Sequence, residues 1–179
     1  MVVRVGIMNM LMSEGHSSGV SWGKWLGAVL VTVILMGCSR EARNVPDLTQ
    51  VSQFELFSID GNRYVKMPES YSGLDQFHSY PVLGSTVIDS AEERQRLIAA
   101  LFVGIESYQG PPADCFNPRH GIRLIYPGRQ VDYVICFECY QVRIFDGPEQ
   151  HTELTGESPR MTFNEVLSRS KVPLAPSNN

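Results

Sequence analysis

Cys115, His120, Cys136 and Cys139 are the residues whose types and spacing could carry chemistry in this chain. Three thiols and an imidazole are the usual donors of a tetrahedral zinc site, and Cys136-Phe137-Glu138-Cys139 brings two thiolates close enough to grip one ion. The other half, Cys115 and His120 with Pro118 and Arg119 between them, departs from the paired half-sites of a firm zinc motif. A disulfide competes with the metal. Cys115, Cys136 and Cys139 allow three intramolecular pairings, each leaving one thiol over unless it pairs between chains. Cys115 with either partner is more comfortable than a Cys136–Cys139 bridge along one extended strand. A structural disulfide is the leading reading, with no cofactor; zinc is the alternative.

Thiol catalysis ranks below both. Cys-x-x-Cys redox motifs usually sit at a helix N-terminus, where backbone amides lower the thiol pKa. Here Ile135, Phe137, Tyr140 and Val142 are strand formers, and the charge of Glu138 would raise it. Arg119 and His120 could bind an anion or form a dyad with Cys115. An arginine paired to a local carboxylate and a histidine bonded to backbone are the commoner arrangement. No Gly-x-Ser-x-Gly elbow, His-Glu-x-x-His or phosphate loop is present, so no catalytic residue is assigned.

These residues must be positioned by a hairpin. Ile122, Leu124 and Tyr126 share one face of a strand, and Val131, Tyr133, Ile135 and Phe137 share one face of the next. A turn over 127–130 pairs Tyr126 with Val131 and Leu124 with Tyr133. After Phe137 the apolar series becomes Tyr140, Val142, Ile144, which changes phase. One regular strand cannot do this. A β-bulge near Glu138 or a short turn there resolves the change; the bulge would keep the apolar side chains on one face and send both Cys136 and Cys139 to the opposite side.

Around that hairpin, the alternation from Val51 and the turn Asp60-Gly61-Asn62 predict a first hairpin whose second strand is 63–67. Residues 68–80 read as a loop and 81–88 as a short strand. Ser90 with Glu93 forms a capping box before an amphipathic helix through Leu97, Ile98, Leu101, Phe102 and Ile105 to about Tyr108, which Gly110-Pro111-Pro112 ends. Residues 146–159 read as a polar loop, and Thr162 with Glu165 as the cap of a short closing helix. The fold class is α+β: an antiparallel sheet of hairpins packed against one main amphipathic helix, with a short C-terminal helix.

Composition fits one domain, with 43% hydrophobic and 19% charged residues in 179. The N-terminus is separate in character. Residues 25–36 are apolar or small throughout, shorter than the run of about 18 that spans a membrane, and fit the apolar part of a secretory signal. Leu35-Met36-Gly37-Cys38 resembles the lipobox of bacterial lipoproteins, which implies cleavage before Cys38 and acylation of that residue. The long, weakly basic stretch ahead of it leaves Met8, Met10 or Met12 as alternative starts. The organisation expected is a signal peptide over 1–37, a lipidated tether over 38–50, one domain over 51–172 and a flexible tail over 173–179. Cleavage removes Arg4, Lys24 and Glu14, so the mature chain is one unit more acidic than the full chain's −4. Without a basic run, nucleic acid is a poor partner.

The resemblance implies a cell-envelope location, lipid-anchored and periplasm-facing, with an envelope protein or a small molecule as partner. Ser39, where an aspartate often signals inner-membrane retention, points to the outer membrane. Within the domain, Cys115-Phe-Asn-Pro-Arg-His-Gly and Cys136-Phe-Glu-Cys, with Pro81-Val-Leu-Gly upstream and Val172-Pro-Leu downstream, resemble a pattern in small uncharacterised bacterial envelope proteins. The pattern spans about 80–176 and implies a domain limit, not an activity. The function expected is a non-enzymatic binding or structural module stapled by its cysteines. A metal- or thiol-dependent enzyme using Cys115, His120, Cys136 and Cys139 is the alternative.

Overall fold

The central hairpin forms where the alternation places it, as β4 (His120–Tyr126) and β5 (Arg129–Cys136), but it closes more tightly. Leu124 faces Val131 and Tyr126 faces Arg129, so the loop is Pro127-Gly128 alone, with Gly128 at φ +72°. Proline presets the first turn position and glycine supplies the positive φ of the second, which suits a two-residue connection. The register differs by two residues from the expected one, an even shift that leaves every side chain on its expected face.

The computed structural model describes residues 45–62 and 68–176. The signal segment, Cys38, most of the tether, the proposed strand 63–67 and the last three residues lie outside the described residues.

The described residues hold seven strands in one antiparallel sheet. The remaining strands are β1 (Gln53–Ile59), β2 (Gln76–Phe77), β3 (Tyr80–Val87), β6 (Gln141–Asp146) and β7 (Glu149–Leu154), and the order is β2-β3-β1-β4-β5-β6-β7. β1 is therefore a central strand, paired to β3 and β4. The phase change after Phe137 is resolved by the turn, not the bulge. The chain reverses over 137–140, with the Tyr140 amide donating to the Phe137 carbonyl at 3.2 Å and Tyr140 at φ +58°. Reversal pairs Tyr133 with Ile144 and Ile135 with Val142, so odd positions of β5 and even positions of β6 share a face.

Two segments expected to be loops form strands. Residues 149–154 form β7 where a loop was expected, because an exposed edge strand of Glu, Gln, His and Thr carries no apolar alternation. Its hydrophilic surface also blocks edge-to-edge association. The short β2 likewise lies in the segment read as a loop.

Two helices complete the fold. α1 (Ala91–Ser107) begins as expected, with the Ser90 hydroxyl accepting from the Glu93 amide at 3.3 Å. α2 (Arg160–Arg169) starts ahead of the expected Thr162 cap. Pro159 precedes it without a side-chain cap, and its carbonyl accepts from the Phe163 amide at 3.2 Å. Proline suits that first turn because its φ is already helical. Leu97, Leu101 and Ile105 of α1 and Phe163, Val166 and Leu167 of α2 enter one core with Phe54, Leu56, Ile122, Leu124, Ile135 and Val142 of the sheet. Both helices thus build the core, where one main helix was expected.

The other face of the sheet has its own apolar cluster: Phe57, Ile59, Phe77, Phe116, Val134, Cys136 and Cys139. It is covered by irregular chain, including the 108–119 segment that carries Phe116 and Cys115. Leu48, in a 3-10 turn over Leu48–Gln50, packs against the first core, so chain assigned to the tether is partly docked. No helix among the described residues is long and apolar enough to cross a membrane.

Candidate functional site

Cys136 ends β5, Cys139 sits in the following turn, and Cys115 arrives from the segment crossing the second face. Both Cys136 and Cys139 are 1% exposed, whereas Cys115 is exposed. Cys139 stands at disulfide distance from both others, with Cα–Cα separations of 5.7 Å to Cys115 and 5.2 Å to Cys136. Both lie in the range that a disulfide spans. One sulfur makes one disulfide, so the two pairings exclude each other. The backbone of Asn117 lies between them: its amide donates to Cys139 Sγ at 3.4 Å, and the Cys136 thiol donates to its carbonyl at 3.2 Å. The objection to a Cys136–Cys139 bridge assumed extended chain, and the turn removes it.

His120 does not join the cysteines. It faces Ile135 across β4 and β5, on the helix side, while Cys136 belongs to the opposite cluster. Its ring lies 5.2 Å from that of Phe137 and 5.7 Å from that of Phe163, and Nε2 is 2.8 Å from Asn164 Oδ1. The expected zinc set of Cys115, His120, Cys136 and Cys139 therefore does not converge on one ion. Strand alternation separates it, because Ile135, which pairs with His120, and Cys136 are neighbours on β5 and point to opposite faces. No group of three or more His, Cys, Asp or Glu side chains among the described residues is arranged to hold a metal ion.

Burial is the main force on His120 and lowers its pKa to about 4; the Asn164 bond opposes this, and the charges of Arg119 and Arg160 add to it. The ring is neutral at pH 7. With Nε2–H donating to Asn164, Nδ1 is a buried acceptor without a partner.

His120 lines a cavity of about 290 Å³ together with Arg119, Glu138, Arg160, Asn164, Leu174 and Ala175. Arg119 is buried, with 8% exposed. Its Nε lies 3.5 Å from Glu138, one terminal nitrogen lies 3.5 Å from Asn62 Oδ1, and the other, Nη1, has no partner. Arg160 reaches the same Glu138 carboxylate at 3.4 Å and Glu157 at 2.9 Å. Glu138, expected to act on the thiols, turns to these two arginines instead.

Sequence reasoning missed a second polar centre. Asp132, 2% exposed in the middle of β5, accepts from Arg123 Nε at 2.9 Å and Nη2 at 2.8 Å and from Gln130 at 2.9 Å. His78 Nε2 lies 2.8 Å from the same carboxylate, and the His78 ring stacks on Phe145 at 3.9 Å. Both His78 and Ser79 have positive φ in the tight turn between β2 and β3. The available signal was an acid inside an apolar strand whose second face is also buried. Four residues at ~3.3 Å rise separate Asp132 from Cys136 along β5, about 13 Å, so this pair does not assist the thiols.

Comparison with protein-family models, with curated proteins and with solved structures returns no match for this chain.

Proposed function

We propose that this chain is a lipid-anchored protein of the bacterial cell envelope whose domain is a non-enzymatic binding module, stapled by a Cys115–Cys139 disulfide. The observation that carries the reading is the burial of Cys136 and Cys139, each 1% exposed, beside a Cys115 that comes from a different part of the chain. A nucleophilic or redox thiol needs access for its substrate, which these two sulfurs lack. Cys115 is favoured over Cys136 as the partner of Cys139 because the Cys136 sulfur lies 3.2 Å from the Asn117 carbonyl, a contact that suits a thiol donor. Cys139 is then free to bridge to Cys115 and pin the 108–119 segment to the sheet. Anchoring through Cys38 rests on the lipobox-like Leu35-Met36-Gly37-Cys38, and an oxidising, periplasm-facing compartment fits a structural disulfide. The outer membrane is the membrane favoured, and the partner class is an envelope protein or a small molecule.

Intact mass and thiol labelling of the mature protein, extracted from membranes without reductant, test this. The expected result is an acylated N-terminus at Cys38, one disulfide, and one thiol that alkylates only after denaturation. Rapid alkylation of native Cys115 would mean that Cys139 pairs with Cys136 and leaves a surface thiol, which would favour thiol chemistry. Replacement Cys38→Ser should move the protein from the membrane to the soluble periplasmic fraction; continued membrane association would sink the anchor.

A further inference from the structure

We infer that the cavity between Arg119 and Arg160 is a binding site for a small carboxylate with a short aliphatic body. This rests on the binding-module reading and names its ligand class. A buried guanidinium is costly unless its donors are satisfied. Arg119 carries five N–H donors in a fixed fork. Its two polar contacts are long, at 3.5 Å each, against the 2.7–2.9 Å of a charge-assisted bond. Nη1 has none. The nearest carboxylate, Glu138, is shared with Arg160, and Glu157 reaches Arg160 but sits 46% exposed at the rim. The fork is held by two long contacts with one terminal nitrogen left unpartnered, a donor set that a carboxylate would complete.

Three further features narrow the ligand. A volume of about 290 Å³ lies at the lower end of small-molecule pockets and admits only a small body. Neutral His120 adds no positive charge, so a monoanion suits the site better than a phosphate dianion, which would also face Glu138. Leu174, 41% exposed, and Ala175 are the apolar part of the lining. They follow Val172, which is itself buried in the core. An aliphatic chain would cover Leu174 and gain roughly 0.8 kcal/mol per buried methylene.

Titration of the full mature chain at pH 7 with sodium butyrate, acetate, phosphate and chloride, followed by calorimetry and by the His120 ring signals, tests the site. Butyrate should bind saturably, shift the His120 signals, and bind more tightly than acetate or phosphate. Replacements Arg160→Gln and Leu174→Asp, at partly exposed positions that the fold tolerates, should each weaken butyrate roughly tenfold, about 1.4 kcal/mol. Arg119→Gln should abolish binding if it folds. A butyrate response no greater than that of chloride, tighter binding of phosphate, or affinity unchanged in both partly exposed variants would each overturn the assignment. Thiol labelling of the same sample keeps the two readings apart: a reactive native Cys115 defeats the stapled module, while the titration alone decides the pocket.

Discussion

His120 is held neutral in the folded protein by burial, which lowers its pKa to about 4 from an ordinary 6.5. The unfolded chain takes up a proton as pH falls below 6.5, and the folded chain refuses it until about pH 4. Stability is therefore complete above 6.5 and declines as pH drops towards 4, by about 3 kcal/mol in all from this residue. Arg119 and Arg160 add to the depression, and the Asn164 bond partly offsets it. Urea unfolding at pH 7 and pH 4.5 should show that loss in the wild type and a much flatter response in His120→Gln. Equal midpoints at the two pH values in the wild type would mean that the ring is protonated within the fold. Sequence made His120 a candidate, but not for this behaviour. Residue type says that it can titrate, whereas the direction of the shift depends on Phe137, Phe163 and Asn164, which neighbour it only after folding.

At the scale of elements, α1 meets the 155–159 connection so closely that one glycine decides the contact. A Cβ on Gly104 would lie 2.6 Å from Pro159 Cγ and 2.7 Å from Thr155 Oγ1, and the Gly104 carbonyl accepts from the Gly156 amide at 2.9 Å. Alanine in a helix interior normally stabilises by up to about 1 kcal/mol over glycine. Here overpacking of about 1–3 kcal/mol opposes that gain, so Gly104→Ala should lower the thermal midpoint. A raised midpoint would show that the connection yields. Legibility at this scale followed apolar patterning. The two strands of the central hairpin could be read because their alternating apolar residues enter the core, and the start of α1 because Ser90 and Glu93 carry its cap. β7 could not, since it is an edge strand paired to β6 whose first four side chains are exposed and polar.

At the scale of the whole domain, the sheet buries apolar side chains on both faces, but among the described residues both helices pack on one. The second face relies on irregular chain, and irregular chain holds itself poorly without a tie. Cys139→Ser removes either pairing open to it and should lower stability by about 3 kcal/mol, the chain-entropy value for a loop of the 24-residue separation between Cys115 and Cys139. Cys136→Ser should cost only about 1 kcal/mol, the penalty of a buried hydroxyl that keeps its hydrogen bond. Denaturant midpoints without reductant distinguish them; equal losses would mean that Cys136 belongs to the bridge. Local rules made the strand alternation, the cap of α1 and the change of phase after Phe137 legible in the sequence; Cys136 and Cys139 do lie away from the helices, but through a turn and not the bulge from which that placement was expected. Only the folded chain brought Cys139 within reach of both Cys115 and Cys136, as alternative partners, and parted His120 from the cysteines. It also placed Arg119, Glu138 and Arg160 around one cavity, and β1 between β3 and β4. Those outcomes depend on which distant segments meet, a matter of sheet order and loop path that period and spacing along one chain do not encode.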